Sequence, residues 1–397
     1  GAAPGVAATT AAVHADPHYA AWTAALAAPL PREGAGCASS DALADELRTR
    51  HQRRAALLAS LAKRGLTPVP GPAGAAPWPW GLGVGTVARV AVVDSGDTAL
   101  LVDDGLLTYR NREGNVEIDP VFAARAFYAA HHDEYDFLVL CTNFPTQLGS
   151  SNFLAYHLAV ANDVTGLGYT HVRSDEIFAD VTAYTAKPAA GRLQSFVHLN
   201  DAAAFPVDAN QVYVPPYSTT TLLAHEVGHR WLARVRLDEP GTGPAPTLLG
   251  RQYSHWSFTF NSGPSPLEGN LWSAAGSSFT TLDAPLAYGP LDLYLMGMLG
   301  PDEVPPQALW YVASPGSFQP PVDANGNPWS RASRPMPGVT CVGDRRSFTI
   351  QDIVLTNGIR LPAYPDARRD FRAAFAMVVP SLGSVTPQQL EALAALR

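Results

Sequence analysis

Two histidines stand four residues apart, with a glutamate directly after the first, in the segment TTTLLAHEVGHRWLARV, Thr219 to Val235. On a helix, positions i and i+4 share a face, so their side chains reach a common point. Placed in that way, His225 and His229 offer two imidazole nitrogens to one divalent cation, and zinc takes imidazole readily. Glu226, offset around the helix, faces a water on such an ion rather than the ion itself, which is where a general base belongs. The rival reading is a pair of core histidines that fall at this spacing by chance. A buried helix carrying both needs a reason to hold them, and a cation supplies one.

The segment is expected to be helical from a cap at Ser218, Thr219 or Thr220 as far as Val235, with Asp238-Glu239-Pro240-Gly241 as the stop. Leu222, Leu223, Val227, Trp231, Leu232 and Val235 surround it on several sides, so the helix should be buried. Gly228 costs roughly 1 kcal/mol against Ala in a helix interior. A close backbone neighbour beneath the metal would account for it.

HEVGH resembles the HExxH helix of the zincin metallopeptidases. The wider stretch, HEVGHRW through LLGRQYSHWSF, LEGN and LDLYLMGM, is similar to a group of secreted bacterial zincin-like proteins, with HExxH the part specific enough to carry chemistry. The resemblance implies a zinc metalloprotease, a hydrolase with one catalytic Zn2+, Glu226 as the catalytic base toward a metal-bound water, a protein or peptide substrate, and a secreted or periplasmic location. It also implies an α+β, zincin-like fold: a twisted mixed sheet, the HExxH helix as the floor of the cleft, and a loop-rich C-terminal lobe. Composition and spacing by themselves imply only a metal-binding helix.

The sequence departs from the best-known subtypes at the third ligand. The metzincin pattern HExxHxxGxxH needs Gly and His where Leu232 and Val235 stand. A gluzincin glutamate would come from a following helix, and residues 240–270 are rich in Pro and Gly. His255, in RQYSHWSF, is the last histidine of the chain and the expected third ligand, its loop anchored by Tyr253, Trp256 and Phe258. Glu268, Glu239 and Asp292 are its rivals. Glu268 or Asp292 is alternatively a hydrogen-bond acceptor that fixes the tautomer of a ligand imidazole. An oxyanion donor is sought among Tyr253, Tyr288 and Tyr294. Met296 and Met298, with Gly297 between them, compare with the methionine turn of metzincins, although ordinary core is the plainer reading.

These residues need a scaffold, and the chain is long enough for one. Its 397 residues are 47% hydrophobic and 16% charged, a globular composition with room for one dominant core and an appended segment. A helix is expected over residues 39–64, and the Pro/Gly stretch 67–81 reads as a linker. The expected plan is therefore an N-terminal helical extension or pro-segment (1–66), the linker (67–81), a catalytic domain (82–300) and a C-terminal lobe packed on it (301–397). Two apolar runs around Ser95-Gly96-Asp97 read as a hairpin, YDFLVLCTNF as a central strand, and RLQSFVHLN (192–200) as a strand, a sheet edge on which an extended peptide would lie. Residues 241–291 carry little regular signal.

Some classes are excluded or weakened. A net charge of −8 with no basic cluster makes a poor partner for nucleic acid. No run of 18 or more apolar residues offers a membrane span. A monomer is expected. Of the three cysteines, Cys141 reads as a buried thiol, whereas Cys37 and Cys341 lie in loop-like stretches and are candidates to pair. His131-His132-Asp133 reads as a polar helix end and Asp323–Pro328 as a turn. Two other functional classes stay open: a catalytically weak zincin-fold binding or adhesion protein, and a non-peptide metallohydrolase.

Overall fold

The structure is a computed structural model that describes residues 91–95, 97–103, 107–110, 115–146, 154–169, 192–263, 265–283, 286–323 and 325–397. The expected helix over 39–64, the linker 67–81 and Cys37 lie outside the described residues. What is described is mixed α and β and forms two compact units.

The first unit takes in the described residues up to Ala161, those ending at Thr219, and Arg372–Arg397. FLVLCT, Phe137–Thr142, is a continuous run of buried residues, the pattern of a strand covered on both faces. It pairs in parallel with Ala373–Val379 on one side and with Ser195–Asp201 on the other. The full order is Ala91–Ser95, Thr98–Val102, Ala373–Val379, Phe137–Thr142, Ser195–Asp201, Tyr156–Ala159. The four inner strands are parallel and the two outer ones antiparallel. The helix Pro120–Ala130 begins at a local capping signal. Asp119 caps it by accepting from the Val121 and Phe122 amides, with Pro120 at the first position. Its Phe127 packs with Leu101, Leu138, Leu140, Phe196 and Val378 in one apolar core. His131 ends this helix, stacked on Phe127 and bonded to Asp94.

One expectation is overturned here. Ser195–Asp201, the strand of RLQSFVHLN, is interior, with its hydrogen bonds taken by Phe137–Thr142 and Tyr156–Ala159. It has no open edge for a peptide.

The second unit takes in the described residues from Asn162 to Asp175 and Thr220–Phe371. Its sheet runs Thr340–Val342, Ser278–Leu282, Glu268–Ala275, Trp256–Asn261, Trp310–Ala313, Asp344–Ser347. Trp256–Asn261 and Glu268–Ala275 are parallel, and every other neighbouring pair is antiparallel. Residues 241–291, which looked irregular, thus supply three strands to this sheet, besides the short strand Gly243–Ala245. Phe258, Trp272, Phe279 and Trp310 form their core, with Phe318 and Trp329 packed against it. The Trp272 indole N–H donates to the Phe258 carbonyl at 3.0 Å, so the buried ring leaves no polar atom unpaired there.

The chain therefore divides elsewhere than at the 300/301 boundary expected from sequence. Trp310–Ala313 belongs to the second sheet, Ala373–Val379 to the first, and residues 301–397 form no lobe of their own. Cys141 is a free, buried thiol, as expected. Cys341 is also free, buried in the strand Thr340–Val342 rather than a loop. No described helix is long and apolar enough to cross a membrane.

Candidate metal centre

The histidine helix spans Thr219–Gly228, shorter than the run to Val235 expected from its apolar residues. After Gly228 the chain tightens into turns. The amides of Trp231 and Leu232 both bond the Gly228 carbonyl, and Ala233 takes a left-handed φ of 57°. Trp231, Leu232 and Val235 are buried as expected, but outside the helix. His225 and His229 still share one face, with ring centroids 5.0 Å apart.

His255 joins them. Its ring centroid is 5.1 Å from that of His225 and 4.9 Å from that of His229. Each of the three offers one nitrogen, and these atoms lie within 4.8 Å of one another, the only such group of His, Cys, Asp and Glu among the described residues. All three side chains are buried. Glu226, Glu239, Glu268 and Asp292 are not part of the group, so the rivals for third ligand fall away.

The tautomers follow from the partners. His225 Nδ1 lies 2.7 Å from the Pro266 carbonyl, and His255 Nδ1 lies 3.0 Å from the Arg251 carbonyl. A carbonyl only accepts, so both Nδ1 atoms carry the proton and both Nε2 atoms present a lone pair. Burial, first among the causes, pushes the His225 pKa down to about 3 and that of His255 well below its usual value, so both rings are neutral. Yet the two Nε2 atoms face each other at 3.2 Å. Two lone pairs at that separation repel unless a positive group lies against them: the Arg251 guanidinium, 2.8 Å from His255 Nε2, is one, and a bound cation would be another. Nitrogens about 2.05 Å from one tetrahedral zinc are about 3.3 Å apart. The His225–His255 pair therefore fits zinc in type, tautomer and spacing, and His229 offers a third imidazole nitrogen within 4.8 Å of both.

The acceptors that orient these imidazoles are backbone carbonyls, not the carboxylates expected. Asp292 accepts from the Trp256 indole N–H at 2.8 Å and from the Gly289 amide at 3.0 Å, tying the helix Pro290–Met296 to the strand that follows His255. Burial raises its pKa to about 6, against the pull of those bonds. Glu268 holds Arg251 instead: Oε1 accepts from Nε at 3.2 Å and from a terminal nitrogen at 2.6 Å. That same terminal nitrogen lies 2.8 Å from His255 Nε2.

Glu226 is buried and stands outside the group of three histidines. Burial pushes its pKa up to about 8, partly opposed by the charge of Arg251. Of the tyrosines expected as oxyanion donors, Tyr288 gives its O–H to the Ala224 carbonyl at 2.7 Å. Tyr253 is exposed beneath the guanidinium of Arg331. Tyr294 lines a cavity with Leu299, Ile350 and Arg360 that none of the three histidines enters. Met296 is ordinary core and Met298 is exposed, with Gly297 a left-handed helix cap between them.

The neighbour that requires Gly228 is a side chain rather than backbone. A Cβ there would lie 2.5 Å from Leu267 Cδ1. Pro266, Leu267 and Glu268 together shape the centre, through a carbonyl to His225, a methyl against Gly228 and a carboxylate to Arg251. Sequence reasoning missed Arg251 and Pro266. The one visible signal was Arg251 standing four residues before His255. Compared with known protein families, with curated proteins and with solved structures, the chain matches none.

Proposed function

We propose that the chain is a zinc-dependent endopeptidase of zincin type, with His225, His229 and His255 holding the metal and Glu226 moving the proton. The observation that supports it is the pair of carbonyl-locked imidazoles turned Nε2 to Nε2 at 3.2 Å, with His229 completing the group. Zinc bound there supplies Lewis acidity toward a carbonyl and makes water acidic near neutral pH. Three neutral imidazoles add no negative charge to blunt that acidity. Glu226, on the same helix but outside the ligand group, takes the proton of the attacking water and passes it to the leaving amine. Its buried setting favours the proton-bearing form, which suits the second half of that cycle.

The test combines elemental analysis with digestion of casein and a peptide library. Wild type is expected to carry one equivalent of zinc and to cleave; a chelator stops cleavage and added zinc restores it. Glu226→Gln keeps the zinc and loses roughly 10²–10⁴-fold in rate. His255→Ala loses the zinc. Zinc retained by wild type with no cleavage of any peptide would favour the binding protein, and cleavage confined to esters the non-peptide hydrolase.

A further inference from the structure

Arg251 grips His255 at both ring nitrogens. Its carbonyl accepts from Nδ1, and its guanidinium lies 2.8 Å from Nε2, the atom the metal centre needs. Only the carbonyl contact is compatible with a bound ion, because Nε2 has a single lone pair. The guanidinium does not depend on His255 for its place, since Glu268 Oε1 holds it by two nitrogens. Glu268 is itself fully buried, and its second oxygen has no hydrogen-bond partner among the described residues. The backbone beside the pair takes left-handed φ values at Gln252 (56°), Tyr253 (53°) and Glu268 itself (71°). Of the three tyrosines expected as oxyanion donors, Tyr288 gives its O–H to the Ala224 carbonyl, Tyr253 is exposed and Tyr294 lines a cavity that holds none of the three histidines.

We propose that Arg251 is the oxyanion-stabilising catalytic residue, with Glu268 as its positioning residue, and that it shares His255 with the metal. His255 gives its Nε2 lone pair to a cation only by giving up the bond from Arg251. The N–H released from His255 stays at the edge of the centre, because Glu268 keeps its hold. There it donates to the carbonyl oxygen that gains negative charge as water adds to the peptide. Arg251 thus weakens metal binding and strengthens the reaction, two opposite effects from one side chain. This rests on the metallopeptidase reading.

The opposite signs make the test. Zinc affinity, read by competition with a chromophoric chelator, is expected to tighten on the order of tenfold in Arg251→Met, since a competing charged hydrogen bond is lost. In the same protein kcat is expected to fall roughly 10²–10³-fold with KM changed little, as for loss of an oxyanion donor. A residue that merely supports the fold would weaken both. Thermal unfolding shows whether the variant is folded. Should it not fold, Arg251→Lys keeps a cation on Glu268 but has no planar fork to reach the imidazole as well, and is expected to show the tighter zinc. Unchanged or weaker zinc affinity in a folded variant overturns the sharing of His255, and unchanged kcat overturns the catalytic role. Wild type that binds zinc and cleaves would leave the metallopeptidase reading standing in either case. Wild type without zinc sinks both.

Discussion

A methyl group at position 228 probes the centre from beneath. A Cβ on Gly228 would meet Leu267 Cδ1 at 2.5 Å and Tyr288 Cε1 at 3.4 Å. Helix propensity favours Ala over Gly by about 1 kcal/mol, whereas overpacking a filled site costs about 1–3 kcal/mol, so the clash wins. Leu267 is fully buried and sits between Pro266, which orients His225, and Glu268, which holds Arg251. A displaced Leu267 therefore moves two supports of the centre together. Gly228→Ala is expected to lower the melting temperature by several degrees and to weaken zinc binding on the order of tenfold. Adding Leu267→Ala removes the clashing methyl and should recover zinc affinity, though not stability. Equal zinc affinity in wild type and Gly228→Ala would show that Leu267 yields without disturbing its neighbours.

The loop that carries Arg251 and His255 owes its shape to another element. Arg331 Nε donates to the Leu249 carbonyl at 2.7 Å, its guanidinium also bonds the Pro246 carbonyl, and it covers the Tyr253 ring at 5.0 Å. Arg331→Met keeps an apolar stem but takes the side-chain donor from the Leu249 carbonyl, while the Pro246 carbonyl keeps the Leu249 amide, a loss of about 1–3 kcal/mol. Zinc affinity should fall with it, because His255 rides on this loop; equal affinity in a folded variant would free the centre from it. This dependence marks where the sequence stops being legible. His225 and His229 are readable because their spacing is local and a helix converts it into a shared face. The length of that helix is not, because Trp231, Leu232 and Val235 are buried equally well in turns. His255 is found as the last histidine of the chain. Its grip by Arg251 is hidden, since that depends on Glu268 arriving from the next strand. The strands Trp256–Asn261, Glu268–Ala275 and Ser278–Leu282 are masked by their Gly, Ser and Thr content. In the first unit, by contrast, the unbroken apolar run FLVLCT identified a central strand unaided.

At the scale of the molecule, acid is a stress that the first unit feels through one buried histidine. His198 is fully buried in the strand Ser195–Asp201, and its Nε2 has no hydrogen-bond partner among the described residues. Burial lowers its pKa from 6.5 to about 3. Between those values the unfolded chain binds a proton that the folded one refuses. The stability of this unit is thus intact above pH 6.5 and falls as pH drops toward 3, by about 1.4 kcal/mol per pH unit at full effect. His198→Phe keeps a ring against Tyr156, 5.1 Å away in the wild type, and removes the titrating group. Urea unfolding at pH 7 and pH 5 should show a smaller acid loss in the variant; equal losses would place the sensitivity elsewhere. The order of the first sheet has a consequence for synthesis. Ala373–Val379 lies between Thr98–Val102 and Phe137–Thr142, yet all of Thr220–Phe371 precedes it in the chain. A ribosome adding about 5–20 residues per second must finish that whole stretch before the gap between the two flanking strands is filled. Until then the nascent protein carries two open parallel strand edges, and chaperones that cover such edges would matter most in that interval.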